Sequence, residues 1–582
     1  VLKNYIKIAL RVFRKHKLYT LINVGGLTVG LATAILIFLW VQDERSMDQF
    51  HANGENLYYV VQESKDNQGQ MVYGTNTPGP MGPALKAEIP EIEESCRITY
   101  PQLMAVSNEQ HKAMESGICA DPVFFSQFSF HLLSGVPNTA LSDPNNIVIS
   151  QSMARRYFNN TDPIGKPITV SDGFKPLELK VSGVIADVPA NSTLKFDYVI
   201  SFIKLQEIYE WTNSWGSSSF MAVVQLNPQT NLDDLNQKIE SFYTDHHQIV
   251  GSNLFLTPFA DKYLYGVNRS GEPSGRITYV RLFTWVGIFI LFIACINFMN
   301  LATARAGIRT REVGVRKVIG AARKNLIFQF MTEAVLLPLL STLAGLLVAK
   351  LLLPAFNQLT GKVLQIPWFD NQFALSLLGL ALLTGLLSGS YPSLFLSAFK
   401  PVNTLKGKLT KSLGEVIFRK VLVVFQFALS VALVIATLVI YYQIHFIKNK
   451  NLGMDRENVI LLSATSAITG SPSSQESFST RLKAMPGIQE VTFTNGNPSS
   501  VSGTTHDPVW EGMPDGGNLG FRFMWTGHDF IKTMGIELVS GRDFSRDVTL
   551  DTLNYILNKT AVEMMGLDEP LGKSLDFWGR KG

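Results

Sequence analysis

The stretch of this chain closest to a nucleotide-binding motif is Gly566 to Ser574, GLDEPLGKS. A P-loop curls its backbone amides around phosphates and needs four residues between its glycines. Here five intervene, Pro570 among them, and the internal counterpart Gly165-Lys166-Pro167 lacks the hydroxyl. No nucleotide binding is expected from it. The nine histidines supply no H-E-x-x-H or other metal-ligand spacing. His246 and His247 sit on a polar segment and are expected to face solvent. Cys96 and Cys119 share a large hydrophilic segment, where a disulfide and two buried thiols are both open readings. Cys295 lies in an apolar run and reads as packing. No G-x-S-x-G stands in a nucleophile-elbow context and no carboxylate pair singles itself out. Catalytic, cofactor and metal sites are therefore expected to be none.

One segment is legible in another way. Arg309 to Lys324 (RTREVGVRKVIGAARK) interleaves Val313, Val315, Val318 and Ile319 with Arg311, Glu312, Arg316 and Lys317. At helical spacing Val315, Val318 and Ile319 share a face, and Glu312 reaches Arg316 at i,i+4. Physics alone leaves two readings level. One is an interfacial amphipathic helix whose cations meet lipid phosphates. The other is a docking helix for a cytoplasmic partner.

Five charge-poor runs must position that segment: Leu18–Val41, Leu282–Ala304, Asn325–Ala349, Asn371–Phe399 and Val421–Ile447. Each exceeds the roughly 20 residues that span a bilayer core. With 17% charged residues and a mean hydropathy of +0.14, the chain is neither disordered nor an ordinary soluble protein. Three cysteines exclude a disulfide scaffold. Orientation follows the cations. Residues 1–17 carry six Lys and Arg and no acid, residues 305–324 seven against Glu312, and residues 400–420 six against Glu415. These three segments are expected on the cytoplasmic side. The net charge of +4 thus hides +17 on them and −13 elsewhere. The first run is too long for a signal peptide and no small-x-small site follows it, so it reads as a retained anchor.

Residues 42–281 read as a mixed α+β domain outside the membrane. Strands are expected at 56–62, 147–150, 177–185 and 220–226, and helices at 80–88 and 231–245. The chain also repeats itself. Phe13-Arg14-Lys15 returns as Phe418-Arg419-Lys420, and Asp162 to Lys166 (DPIGK) as Glu569 to Lys573 (EPLGK), at offsets of 405 and 407. Residues 448–582 are then a second, incomplete copy of the outside domain, in a chain expected to be truncated at its C-terminus.

Arg311 to Ala321 (REVGVRKVIGA) resembles the R-E-I-G-[VI]-R-K-[AV]-[LIV]-G-A signature of the permease subunits of MacB/FtsX-type ABC transporters. Further matches are collinear: Gln42-Asp43-Glu44 with Ser46, Asp48 and Phe50-His51 after the first run, Asn56-Leu57-Tyr58, Glu333, Tyr391-Pro392, and Leu396-Ser397 to Leu405-Lys406-Gly407. The likeness is to the long, duplicated form with two periplasmic core domains. It implies an α-helical integral membrane protein of the bacterial inner membrane, N-terminus cytoplasmic, with MacB-like mixed α+β extracytoplasmic domains. It implies that Arg311, Glu312, Val313, Gly314, Val315, Arg316, Lys317, Val318, Gly320 and Ala321 form a coupling helix on a separate, dimeric ATPase. That partner would use the ATP and magnesium, this chain binding no cofactor and no nucleic acid. Membrane lipids and a periplasmic adaptor or outer-membrane component are further expected partners. The function implied is mechanotransmission for efflux or extraction of a hydrophobic compound, peptide or lipoprotein. The alternative is a signal transmitter that regulates a periplasmic hydrolase or senses antimicrobial peptides. A secondary transporter is disfavoured by the scarcity of charges within the runs. Gly25, Gly26 and Gly30 are expected to let helices approach closely, between halves or subunits. Glu333 has two readings, snorkelling to the interface or bundle contacts.

Overall fold

A computed structural model describes residues 2–582 except 160, 172–175, 248–251, 270–273, 305, 399–412, 463, 465–467, 469–470, 502, 515–518, 547–548 and 582. Residues 1–49 with 263–447 form one unit, and residues 50–262 with 448–582 another.

The first unit is helical: α1 (Leu2–Lys15), α2 (Lys17–Arg45), α3 (Ile277–Ala304), α4 (Ala306–Val318), α5 (Arg323–Thr360), α6 (Asn371–Ala398) and α7 (Leu413–Asn449). Among the described residues, five helices (α2, α3, α5, α6 and α7) are long and apolar enough to cross a membrane. The chain breaks between α1 and α2 at His16, with φ −122° and ψ 58°. The apolar run expected to end at Ala349 continues as helix to Thr360, because a lone Lys350 does not stop a helix. Gly361, at φ +66°, does. α2 packs against α3 and α5, and α5 against α6. Small residues set these approaches. A Cβ on Gly30 would lie 2.8 Å from Ala294, one on Gly385 2.8 Å from Val335 Cα, and one on Gly389 against Ala334. Between apolar helices, such close backbone approach supplies the dispersion contacts that hold them. The apolar window of α7 is unburied, and Phe425 meets Phe292 of α3 at a ring-centroid distance of 6.0 Å.

The second unit begins with a mixed sheet. Strand Pro176–Ile185 runs parallel to Asn146–Ser150 and antiparallel to Pro167–Ser171. Strands Leu57–Lys65 and Ser218–Leu226 pair antiparallel, so all four expected strands are present. Two apolar clusters divide the sheet. One gathers Val60, Met81, Leu85, Ile239 and Leu256, the other Ile147, Val170, Val181, Tyr157 and Phe202. Where they adjoin, Arg97 grips Asp121 with two bonds of 2.8 and 2.9 Å and lies 4.1 Å from the Phe202 ring centroid. Cys96 and Cys119 are buried free thiols, and burial pushes the Cys119 thiol up to about 12.

One expectation needs correction. The helix expected over 231–245 is two helices, Leu232–Ile239 and Phe242–His247. His246 is exposed, as expected, and it is also partnered. Its ring stacks on Phe242 and Trp215 at centroid distances of 4.4 and 4.8 Å. Its nitrogens meet the Phe242 carbonyl at 2.8 Å and Glu88 at 3.0 Å. Trp215 and Glu88 are distant in sequence, so local polarity gives the exposure but not these partners.

The sequence repeat has a structural counterpart. Helix Gln151–Phe158 is capped by Ser150, ends at left-handed Asn159, turns at Gly165 (φ +82°) and feeds strand Pro167–Ser171. Helix Lys559–Met565 is capped by Asn558, ends at left-handed Gly566, turns at Gly572 (φ +73°) and feeds strand Leu575–Phe577. Gly566 to Ser574 is thus a helix-to-strand turn; a P-loop would open a helix.

Candidate functional site

α4 carries most of the segment singled out in the sequence. Its side chains up to Arg311 lie outside the described residues. It ends in a Schellman motif. The Ala321 amide donates to the Arg316 carbonyl at 3.0 Å and the Gly320 amide to the Lys317 carbonyl at 3.1 Å, with Gly320 at φ +97°. That left-handed conformation suits glycine, and it turns the chain sharply into α5. Val313 is buried against Leu326, Phe330 and Leu396, and Gly314 is buried beside it.

Among the described cations of the segment, Arg316, Lys317 and Arg323 bond to neighbouring helices. Arg316 pairs with Glu312 at 2.7 Å and also donates to Gln329, which in turn donates to Glu333 at 3.2 Å. Lys317 donates to the Ser397 carbonyl at the end of α6 at 2.7 Å, and Arg323 reaches the Ser397 hydroxyl at 3.4 Å. Burial, with Arg323 nearby, pushes the Lys317 ammonium below its ordinary range. Three apolar side chains of the turn also face outward, Val315 at 48% exposure, Val318 at 63% and Ile319 at 80%, beside exposed Glu312, Arg323 and Lys324. Helical spacing had placed these three together. It could not show that the neighbouring cations bond inward, because Gln329 and Ser397 come from other helices.

Glu333 is buried at 5% exposure and accepts from Gln329, one turn earlier on the same helix, at 3.2 Å. The three glycines of α2 differ. Gly30 makes the close approach to Ala294 of α3, and a Cβ on Gly26 would lie 3.4 Å from Asn297. A Cβ on Gly25 would meet nothing within 4 Å. The approaches of Gly26 and Gly30 are thus made inside this one half, since their spacing brings α3 against them.

A second polar site, at the other end of α2, was not visible as a site in the sequence. Glu44 has no exposed surface. Tyr263 donates to it at 2.9 Å, Lys362 approaches at 2.9 Å and Arg276 at 3.4 Å. Lys362 also pairs with Asp43 at 2.6 Å. Burial opposes the charge on Lys362, but its bonds to Asp43 and Glu44 outweigh this and raise it above its usual range. In the sequence Lys362 was only a loop charge, because its partners lie over 300 residues upstream.

Residues 20–242 match the family profile of the MacB-like periplasmic core domain, and residues 285–401 that of the FtsX-like permease C-terminal domain. The chain belongs to the MacB/FtsX-type ABC transporter permeases. Among curated relatives, this permease is 24% identical over 356 residues to the uncharacterized ABC transporter permease YknZ of Bacillus subtilis (strain 168), covering 59% of this chain and 84% of YknZ. It is 21% identical over 420 residues to the macrolide export ATP-binding/permease protein MacB of Haemophilus ducreyi, covering 68% of this chain and 55% of that protein. Its solved likenesses include the periplasmic region of MacB from Actinobacillus actinomycetemcomitans, at 11% identity and a TM-score of 0.27, covering 36% of this chain and 91% of that one.

The permease is a membrane protein with extracytoplasmic domains. Its core-domain profile includes most of α2, and its FtsX-like profile runs from α3 to α6 through the α4–α5 turn. Among the described residues no cluster of His, Cys, Asp or Glu has metal-holding geometry. The two sites are a turn with exposed apolar side chains, braced on two helices, and an ionic junction around buried Glu44.

Proposed function

We propose that this chain is the permease subunit of a transporter powered by a separate cytoplasmic ATPase dimer, which binds the ATP and magnesium. The α4–α5 turn seats in a groove of that ATPase, and ATP-driven closure moves the helix bundle and, through α2 and α3, the periplasmic core domain. The cargo is a hydrophobic compound, peptide or lipoprotein extracted or exported at the outer side of the bacterial inner membrane, with the N-terminus cytoplasmic.

One observation carries this reading. Val315, Val318 and Ile319 stand exposed on a turn whose Arg316 and Lys317 are bonded into α5 and α6. A helix built to lie on lipid keeps its cations outward for phosphates. Here Arg316 and Lys317 brace the turn, which suits a knob that bears force. The test is reconstitution of the full chain in nanodiscs with the purified MacB-type ABC ATPases of the same organism, each tried in turn. The permease should bind one of them and stimulate its hydrolysis. Absence of both with every one of them would refute the reading.

A further inference from the structure

The ends of α2 and α3 are where the chain leaves the helical unit for the core domain and returns from it. Glu44 closes one end and Tyr263 and Arg276 flank the other, while Lys362 belongs to the loop between α5 and α6. Four charges meet there and cancel: Asp43 and Glu44 against Arg276 and Lys362. Tyr263 is shared, donating to Glu44 and accepting from Arg276 at 3.2 Å, with the Arg276 and Lys362 cations 5.6 and 5.8 Å from its ring centroid. An apolar cluster of Trp40, Leu264, Ile277, Val280 and Leu364 forms beside it.

Stability alone does not explain such a junction. A buried ion pair is seldom better than well-packed apolar residues of similar volume, yet removing one partner strands the other charge at high cost. Its attested use is to select one arrangement over its neighbours. The apolar cluster alone would tolerate sliding of the helix ends by small steps, since dispersion is non-directional. A buried carboxylate that accepts a hydrogen bond from Tyr263 and has two cations within 3.4 Å does not.

We infer that Glu44 and Lys362 form a clamp that makes the outer ends of α2, α3 and the α5–α6 loop move as one body, so that bundle motion reaches both connections to the core domain. They are positioning residues, and the inference rests on the proposed function only for the source of the motion. The clamp joins three segments far apart in sequence, so its loss is a correlated event. A merely local packing role would leave the other two segments unaffected.

The test uses the full chain in nanodiscs, with Glu44→Gln, Lys362→Met and the double variant Glu44→Leu/Lys362→Leu, the last retaining apolar packing should the single variants fold poorly. Without nucleotide, hydrogen exchange should rise together in residues 43–47, 261–266 and 357–366, by about a hundredfold or more in either single variant. Exchange in α4 should not change. With the ATPase and ATP, stimulated hydrolysis should stay within about twofold of the parent. The ATP-dependent distance change between spin labels at Asn371 and Gln110 should be lost in the double variant. A rise confined to residues 43–47, or a distance change of full amplitude in the double variant, would overturn the clamp. If the parent itself showed no ATPase stimulation, the functional reading would fail, while the exchange result would still decide the clamp.

Discussion

Replacing Val318 and Ile319 by alanine separates docking from folding. Both side chains are largely exposed, 63% and 80%, so the double variant should change stability by no more than about 0.5 kcal/mol. Docking is another matter. Ile to Ala removes three side-chain carbons and Val to Ala two, each worth about 0.8 kcal/mol when fully buried. Scaled by the exposed fraction now available to a partner, the pair contributes about 3 kcal/mol, or on the order of a hundredfold in Kd. The assay is equilibrium binding of the purified ATPase to the permease in nanodiscs, beside thermal unfolding of the permease alone. Val313→Ala is the internal contrast. At 1% exposure against Leu326, Phe330 and Leu396, it should cost about 2 kcal/mol of stability by lost burial and cavity formation. Unchanged affinity in the double variant would refute the assignment of this face. Reversing Arg316 or Lys317 would be a poorer test, since Gln329 and the Ser397 carbonyl would lose their bonds as well.

Other expectations follow from single sites. Gly30→Val should destabilise the bundle by about 1–3 kcal/mol through overpacking against Ala294, while Gly25→Val, which meets nothing in the chain, should be nearly silent in thermal unfolding. Arg97→Met strands the buried Asp121 carboxylate and should cost about 3–5 kcal/mol in core-domain unfolding, whereas Arg97→Met/Asp121→Leu should recover most of it. His246 points both ring nitrogens at acceptors, which requires the doubly protonated ring. Burial opposes that charge, but the bonds to Phe242 and Glu88 raise its pKa above the ordinary value of 6.5. Its contribution is then complete below about pH 6.5 and lost as pH rises through the raised value. Hydrogen exchange in Met81–Glu88 and Phe242–His247, corrected for intrinsic rate, should accelerate between pH 6 and 9, and an unchanged rate would contradict the imidazolium.

The sequence by itself determined the parts that depend on local period and composition. Spanning runs need only length and apolarity, so α2, α3, α5, α6 and α7 were readable one at a time. The core-domain strands followed from β-rich runs between turn signals. The repeat was visible because a helix-to-strand turn demands glycine at its left-handed position in both copies, Gly165 and Gly572. The Arg311–Ala321 motif identified the α4–α5 turn. Tertiary structure decided which side chains of that turn face out, since Arg316 and Lys317 are held by Gln329 and Ser397 from other helices. It separated Gly30 from Gly25, whose sequence contexts look alike. It also made Glu44 a site, by bringing Tyr263, Arg276 and Lys362 to it from 219 to 318 residues away. Periodicity reports which face a residue occupies on its own helix. What lies opposite that face is settled only when the other helices pack.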